Sequence, residues 1–185
     1  MTVVALDAMG GDNAPGEMIK GAVEAVRKRS DMKVLLVGKQ DLIEEALAGY
    51  TYPKEQIEVV HASEVIETAE PPVLAIRRKK DSSLVKAMQL VKNKEADALV
   101  SAGSSGAILV GGQVLVGRIP GVNRAPLAPL IPTAKGMSLL IDCGANVDAR
   151  PAHLVQFAKM GSIYMEDVVG IKNPKVAIVN VGVEE

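Results

Sequence analysis

Residues 138–151 read Ser-Leu-Leu-Ile-Asp-Cys-Gly-Ala-Asn-Val-Asp-Ala-Arg-Pro. The apolar run at 139–141 predicts a strand that is buried on both faces of a parallel sheet. This strand ends at Asp142, Gly144 allows a turn, and Pro151 then suits the first turn of a helix. In open α/β sheets, ligands bind at the carboxyl ends of the strands. The stretch therefore predicts the fold class and also indicates where a site would lie.

Three polar side chains follow the predicted strand. Asp142, Asn146 and Asp148 place oxygen and nitrogen atoms at its carboxyl end, and Gly144 and Ala145 lie in the turn between them. Aspartate and asparagine in such loops usually only cap or turn the chain. We favour a ligand site over that interpretation because two other loops of the chain have the same shape.

The first of these two loops follows a short β-branched strand predicted at residues 2–6. It contains Asp7, the pair Gly10 and Gly11, and Asp12. The glycines let a ligand approach the backbone, whose N–H groups favour an anion. The two carboxylates would repel a phosphate unless they bind a cation, orient a lysine or accept a proton, so a simple turn is an equal alternative.

The second loop follows a strand predicted at residues 98–101 and leads into an apolar helix predicted at 108–116. It consists of small residues that expose the backbone: Gly103, Ser104, Ser105 and Gly106. Backbone amides together with hydroxyl groups are the composition expected of a phosphate cradle. Glycine and serine also form simple turns, so this motif alone does not decide between a site and a turn.

The same alternation of strands and helices continues along the chain. Further strands are predicted at 33–37, 57–60 and 175–181, and further helices at 41–47, 84–91 and 153–165. Alternating strands and helices with aliphatic side chains predict an α/β fold with a mostly parallel sheet. We expect residues 1–185 to form a single α/β domain. The prolines of residues 118–137 exclude a continuous helix, so this segment is interpreted as a crossing between subdomains, with either an edge strand or an extended crossing at 127–131.

The composition supports a globular protein and excludes several classes of function. The 185 residues are 48% hydrophobic and 23% charged, which is enough for a core. With a net charge of -1 and 2% aromatic residues, the composition is not typical of a nucleic-acid-binding protein. The single cysteine, Cys143, excludes an internal disulfide, and we assign no metal and no cofactor. Because no secretion signal or membrane-spanning run is present, we expect a cytoplasmic protein.

The densest positive charge of the sequence lies in one short run: Arg77, Arg78, Lys79 and Lys80. A solvated helix end is the usual explanation of such a run. In a chain that is otherwise close to neutral, the run also suits an anion or an acidic protein.

Four segments taken together resemble a known family. They are residues 6–12 (Leu-Asp-Ala-Met-Gly-Gly-Asp), 75–83 (Ala-Ile-Arg-Arg-Lys-Lys-Asp-Ser-Ser), 142–148 (Asp-Cys-Gly-Ala-Asn-Val-Asp) and 160–164 (Met-Gly-Ser-Ile-Tyr). In this order they are similar to the bacterial phosphate acyltransferases of phospholipid synthesis. The resemblance covers essentially the whole chain.

This resemblance implies a three-layer α/β/α fold similar to the isocitrate and isopropylmalate dehydrogenases and to phosphotransacetylase. It also implies reversible transfer of a fatty acyl group from acyl carrier protein to inorganic phosphate, a homodimer, and peripheral membrane association through a later part of the chain. Asp7, Asp142 and Asn146 are then the catalytic candidates, and the run from Arg77 to Lys80 is the candidate contact for the carrier protein. The candidate phosphate contacts are spread over the three loops: Gly10, Gly11, Asp12, Gly103, Ser104, Ser105, Gly106, Gly144, Ala145 and Asp148.

Two features distinguish this chain from the family pattern. The family usually has Gly-Asn-Thr-Gly-Ala where this chain has Gly-Ser-Ser-Gly-Ala at residues 103–107, and a lost hydrogen bond to a charged ligand costs about 1.5–3 kcal/mol. The chain also ends at Glu185, so we expect an amino-terminal portion of a longer family fold. A non-catalytic phosphate-binding or interaction module and a phosphotransacetylase remain alternatives. A nicotinamide dehydrogenase is disfavoured because no dinucleotide fingerprint is present.

Overall fold

The computed structural model describes residues 1–179, which divide into a first compact unit, Met1–Arg118, and a second that begins at Ile119. The first unit contains a four-stranded parallel sheet with the order β3-β2-β1-β4. Its strands are β1 (Thr2–Asp7), β2 (Met32–Gly38), β3 (Ile57–His61) and β4 (Ala98–Val100). All four strands that the sequence predicts for this unit are confirmed, with ends that differ by one residue.

Helices connect these parallel strands. They are α1 (Gly16–Lys28), α2 (Gln40–Leu47), α3 (Pro72–Arg78), α4 (Ser83–Lys92) and α5 (Ser105–Gly111). A single 3-10 turn (Lys54–Gln56) precedes β3, and α5 continues as a π-helical turn (Gly112–Val116). Parallel neighbours need such crossovers, because a tight turn joins only antiparallel strands.

Alternate side chains of each strand pack on opposite faces of the sheet. On one face Leu6 and Leu36 lie in a cluster with Ile19 and Val23 of α1 and with Ile43 of α2. On the other face Ala5, Leu35 and Val37 lie in a cluster with Ala87 of α4. Each fully buried aliphatic side chain contributes about 1.5–3 kcal/mol relative to an exposed one. The sheet therefore has helices on both faces, which confirms the α/β class with three layers.

A third cluster joins α3, α4 and α5 through Ile76, Met88 and Ala107. Gly111 permits this packing, because a Cβ at that position would overlap the sulfur of Met88. Close packing through Gly111 thus explains a glycine inside an otherwise apolar helix, despite its low helix propensity.

The second unit has a two-stranded antiparallel sheet and one long helix. The strands are β5 (Leu130–Thr133) and β6 (Gly136–Leu139), and the helix is α6 (Pro151–Asp167). The predicted helix start at Pro151 is confirmed. Gly161 of α6 packs against β6 and its extension, because a Cβ there would lie 3.5 Å from Leu139 and 3.4 Å from Ile141.

The strands predicted for this unit differ from the observed ones. The run at 139–141 is not a buried parallel strand, because Leu139 ends a hairpin strand and Leu140 is 37% exposed. The apolar run indicates only a preference for extended backbone. It does not specify the partner strand, which is the antiparallel strand β5. The edge strand predicted at 127–131 is instead observed at Leu130–Thr133, where it pairs with β6. Residues 174–179 form no strand, and Asn180 and Val181 of the run predicted at 175–181 lie outside the described residues.

Within residues 1–179, no helix is both long enough and apolar enough to cross a membrane.

Candidate functional site

The first and second glycine loops meet at the carboxyl ends of β1 and β4, which are neighbours in the sheet. Asp7 is buried, with 3% of its surface exposed, although it carries a carboxylate. The hydroxyl of Ser101 donates to Asp7 Oδ2 at 2.7 Å, and the amide of Met9 donates to Oδ1 at 3.3 Å. The amide of Gly103 in turn donates to Ser101 Oγ at 3.1 Å. These hydrogen bonds link the two loops through the Asp7 carboxylate.

Two glycines of the first loop have no room for a side chain. A Cβ on Gly10 would lie 2.5 Å from Asp7 Oδ2 and 2.9 Å from Gly103 N. Gly11 has a φ of +103°, and a Cβ there would lie 3.2 Å from the Cβ of Ala102. The glycine pair therefore allows the two loops to come into backbone contact, which side chains larger than hydrogen would prevent. Asp12, by contrast, is exposed at the edge of this junction.

The serines of the second loop have different roles. Ser104 is the N-cap of α5, and its buried Oγ accepts from the amide of Ala107 at 3.3 Å. Ser105 is exposed. The first-turn amides of a helix lack intrahelical acceptors, so the backbone here presents donors next to the exposed Ser105 hydroxyl. Gly106 packs closely on the ring of Pro72, since a Cβ there would lie 2.7 Å from Pro72 Cγ.

The third loop belongs to the second unit and is organised by Asp142. Its Oδ1 accepts from the amide of Leu127 at 2.6 Å, and its Oδ2 accepts from the amide of Asn146 at 2.6 Å. The side-chain amide of Asn146 donates to the carbonyl of Ala125 at 3.1 Å. Both side chains thus hold the 142–146 turn against the segment at 125–127, as aspartate and asparagine commonly do in turns.

The remaining predicted residues of the third loop are more open. Gly144 has a φ of +79°, a conformation that favours glycine. Ala145 is half-buried, and Asp148 is exposed. Asp142, Asn146 and Gly144 are therefore brought into one turn, and Asp148 lies beyond it.

The four residues of the basic run differ in their contacts. Arg77 and Arg78 are exposed at the end of α3. The Lys79 ammonium donates to the carbonyl of Val65 at 2.6 Å and pairs with the carboxylate of Glu70, whose pKa it holds below the usual range. Lys80 donates to the carbonyl of Ile76 at 3.1 Å. The lysines of the run thus make contacts within the chain, and the two arginines present their charge to solvent.

A neighbouring carboxylate fixes the loop before α3 to the start of α4. Asp81 accepts from Lys86 Nζ at 2.6 Å, from the Ser63 hydroxyl at 2.6 Å and from the Ser63 amide at 2.9 Å. The Lys86 ammonium, followed by the Ser63 hydroxyl, holds the pKa of Asp81 well below its usual range. In addition, Glu64 accepts from the amide of Asp81 at 3.0 Å.

Ser101 is the residue of this site that the sequence did not single out. The signal was present, because Ser101 follows β4 just as Asp7 ends β1, and neighbouring parallel strands place such residues side by side. The sequence does not show that β1 pairs with β4, so it does not indicate that Ser101 lies beside Asp7.

The described residues contain no group of three or more histidine, cysteine, aspartate or glutamate side chains arranged to hold a metal ion. Cys143 is a free thiol, half-buried in the third loop.

Comparisons with known proteins connect these loops to a family. A family model described as fatty acid synthesis protein matches residues 2–185. The phosphate acyltransferase of Alkaliphilus oremlandii is 56% identical over 182 residues, which is 98% of this chain and 54% of that protein. The phosphate acyltransferase of Clostridium novyi is 50% identical over 98% of this chain and 55% of its own length. The chain thus spans about half the length of the curated relatives that it matches.

Among solved structures, the EutD phosphotransacetylase from Staphylococcus aureus matches 92% of this chain and 54% of its own chain, with a TM-score of 0.64 and 17% sequence identity. A likeness at this identity shows the fold alone, and it agrees with the α/β architecture described above. Because the family model matches residues 2–185, the chain belongs to the family of fatty acid synthesis proteins.

Proposed function

We propose that this chain contributes phosphate-binding and catalytic groups to an acyltransferase that moves a fatty acyl group from acyl carrier protein to inorganic phosphate. The observation that carries the proposal is the junction of Asp7, Ser101 and Gly103, where two glycine loops meet at the carboxyl ends of neighbouring strands. Relatives named phosphate acyltransferase support the chemistry. Ligands of open α/β sheets bind at this end of the strands.

The reaction needs few covalent functions from the protein. An oxygen of phosphate attacks the thioester carbonyl carbon, the C–S bond breaks, and the carrier thiolate leaves and takes up a proton. The protein then has to hold phosphate against the carbonyl carbon and stabilise the developing oxyanion with hydrogen-bond donors. No covalent enzyme intermediate is required, so Cys143 has no role as a nucleophile in this scheme.

Each unit is assigned its own proposed donors. In the first unit, the backbone of Gly103–Gly106 and the Ser105 hydroxyl would donate to phosphate. In the second unit, considered by itself, the turn at Gly144 and Ala145 would offer backbone donors to an anion. Asp7 would accept a proton from the phosphate held by the first unit, since each of its carboxylate oxygens retains a second lone pair. Asp142 is the corresponding proton acceptor proposed for the second unit, considered by itself. Asn146 would keep the third loop in its conformation through its bond to Ala125.

The assay that tests this function follows the carrier thiol. The 185-residue chain and a version extended to the full length of its relatives are incubated with palmitoyl-acyl carrier protein and phosphate. Phosphate-dependent release of free thiol by either protein supports the proposal, and release by the short chain shows that its own residues suffice. If neither protein releases thiol although both bind phosphate, the chain is a non-catalytic phosphate-binding module.

A parallel arm of the assay uses acetyl-coenzyme A in place of the palmitoyl carrier. This arm distinguishes the proposed long-chain activity from a phosphotransacetylase, whose fold the chain shares. Faster turnover with acetyl-coenzyme A than with palmitoyl-acyl carrier protein would replace the proposed substrate.

The partners of the proposed enzyme follow from the same resemblance. We propose a homodimer in the cytoplasm that associates peripherally with the membrane. Arg77 and Arg78 are the proposed contact for the acidic carrier protein, because they are exposed, whereas Lys79 and Lys80 donate hydrogen bonds to carbonyl groups of the chain.

A further inference from the structure

The Ser101 hydroxyl donates one hydrogen bond and accepts another at the same time. Its hydroxyl proton goes to Asp7 Oδ2 at 2.7 Å, and its oxygen accepts the amide proton of Gly103 at 3.1 Å. A hydroxyl can do both, because it combines one donor with two acceptor lone pairs. One small side chain thus connects the end of β1 to the turn that follows β4.

The bond from the Ser101 hydroxyl is the shorter of the two hydrogen bonds described for the Asp7 carboxylate. Asp7 is 3% exposed, so water replaces lost donors poorly there. The Met9 amide lies 3.3 Å from Oδ1, whereas Ser101 Oγ lies 2.7 Å from Oδ2, a distance typical of a charge-assisted bond. The orientation of the carboxylate therefore depends mainly on Ser101.

The surrounding backbone leaves little room for this arrangement to change. A Cβ on Gly10 would lie 2.9 Å from both Gly103 N and Ser101 Oγ. The Asp7 carboxylate, the Ser101 hydroxyl and the Gly103 amide therefore all lie close to Gly10. Interiors packed this tightly transmit small displacements.

We propose that Ser101 is a positioning residue that holds the Asp7 carboxylate and the turn at Gly103 in the relative position that phosphate binding requires. The inference rests on the proposed function, since it assigns Ser101 to the phosphate site formed by the first and second loops. Ser101 acts through Asp7 and Gly103 and does not itself contact phosphate.

The test is a titration of the 185-residue chain with inorganic phosphate, followed by isothermal calorimetry. Ser101→Ala should weaken phosphate binding roughly tenfold, the equivalent of one hydrogen bond to a charged group. Ser101→Thr keeps the hydroxyl and should restore most of that loss. Phosphate affinity of Ser101→Ala equal to that of the unchanged chain overturns the proposal.

Ser82→Ala is the matched control. The buried Ser82 hydroxyl also donates one bond, to the carbonyl of Lys79 at 2.8 Å, and accepts one, from the amide of Val85 at 3.4 Å. Its loss should lower stability without changing the phosphate affinity of the folded chain. A loss of affinity as large as that of Ser101→Ala would show a general effect of stability and would overturn the positioning role.

A double variant shows whether the effect passes through Asp7. In a chain that already carries Asp7→Asn, adding Ser101→Ala should cost clearly less phosphate affinity than it does in the unchanged chain, because coupled residues are not additive and only the effect through Gly103 remains. A full additional loss would mean that none of the effect passes through Asp7, which contradicts the proposal.

Hydrogen exchange at the Met9 amide separates this inference from the proposed function. That amide bonds to Asp7 and not to Ser101, so its exchange reports whether the carboxylate moves when the serine is replaced. If neither the unchanged chain nor its extended version binds phosphate, the phosphate site of the proposed function fails. In that case faster Met9 exchange in Ser101→Ala still supports the positioning of Asp7, and unchanged exchange overturns it.

Discussion

Gly10 is the residue at which the two glycine loops leave the least space. A Cβ there would lie 2.5 Å from Asp7 Oδ2 and 2.9 Å from Gly103 N, and the second of these is a backbone atom. Gly10→Ala should therefore lower the free energy of unfolding by about 1–3 kcal/mol, the usual cost of inserting a methyl group into a packed site. Urea denaturation followed by circular dichroism measures this change.

Gly21→Ala provides the opposite case in the same unit. Gly21 is exposed within α1, and a Cβ there meets nothing within 4 Å. Replacing a helical glycine by alanine should raise the free energy of unfolding by about 0.5–1 kcal/mol. Equal effects of the two substitutions would contradict the close approach of the loops at Gly10.

At the scale of single residues, the sequence indicated which residues belong to the site better than it indicated which of them contact each other. Asp7, Gly10 and Gly103 were identifiable because aspartate and glycine after an apolar run have local meaning. Ser101 was not, because its partner Asp7 lies 94 residues away along the chain. Only the pairing of β1 with β4 brings the two together, and no local pattern encodes that pairing.

Among the elements, the connection between the 62–66 segment and α4 depends on one carboxylate. Lys86 and then Ser63 hold the pKa of Asp81 below its ordinary value of 3.8. The folded chain thus binds this proton less readily than the unfolded chain, so the contribution of Asp81 is present above pH 3.8 and is lost as the pH falls below it. Asp81→Asn should lower stability at neutral pH, and its difference from the unchanged chain should shrink below pH 3.8 in urea denaturation.

Lys86→Met checks the assigned cause, because it removes the first partner of Asp81. It should reduce the same part of the pH dependence. Lys86 Nζ also donates to the His61 carbonyl at 2.6 Å, so the double variant should lose more than either single one but less than the sum of the two losses. Stability curves of Asp81→Asn and the unchanged chain that run parallel at all acidic pH values would show that Asp81 does not cause the effect.

The end of α3 leads to a prediction about the carrier protein. Arg77 and Arg78 are exposed, whereas Lys79 and Lys80 bond to groups of the chain. Arg77→Glu with Arg78→Glu should weaken binding of acyl carrier protein at low salt and should lessen the dependence of affinity on salt concentration. Fluorescence anisotropy of a labelled carrier measures both.

The control for this prediction carries the same change of charge elsewhere. Lys92 and Lys94 are exposed at and after the end of α4, and Lys92→Glu with Lys94→Glu should leave carrier binding close to that of the unchanged chain. If both pairs weaken binding equally, net charge alone is responsible and the contact does not lie at α3.

The strands of the first unit could be predicted because each is supported by its own pattern. β1, β2 and β3 are aliphatic runs bounded by polar residues. The strand at 139–141 was wrong because three apolar residues do not specify whether their partner is parallel or antiparallel. For 175–179, an apolar run alone did not produce a strand, since a strand also requires a neighbour with which to pair.

At the scale of the whole molecule, the core is unevenly distributed between the two units. The three apolar clusters lie within Met1–Arg118. Among the described residues of the second unit, the buried apolar side chains are Phe157 and Met165, while Val147 is 94% and Ile178 is 80% exposed. Since burial of apolar surface is the main favourable term in folding, the first unit should be the more stable of the two.

Limited proteolysis tests this difference in stability. Arg118 and Arg124 are exposed near the boundary of the units, and residues 119–129 form no helix or strand. Trypsin should therefore cut first at these arginines or within the second unit, and a fragment that ends near Arg118 should persist. Mass spectrometry of the digest identifies the fragment, and Arg118→Gln with Arg124→Gln should remove the boundary cuts.

The isolated fragment completes this test, because resistance to protease requires a folded chain. Residues 1–118 contain both faces of the parallel sheet and the Asp7–Ser101 bond, so the fragment should unfold cooperatively in urea. It should also retain slow exchange at the amides of β1 and β2, whose strands are surrounded by the two clusters of the sheet. Early cleavage within the first unit, or a fragment without a cooperative transition, would show that its core does not suffice for folding and that the two units depend on each other for stability.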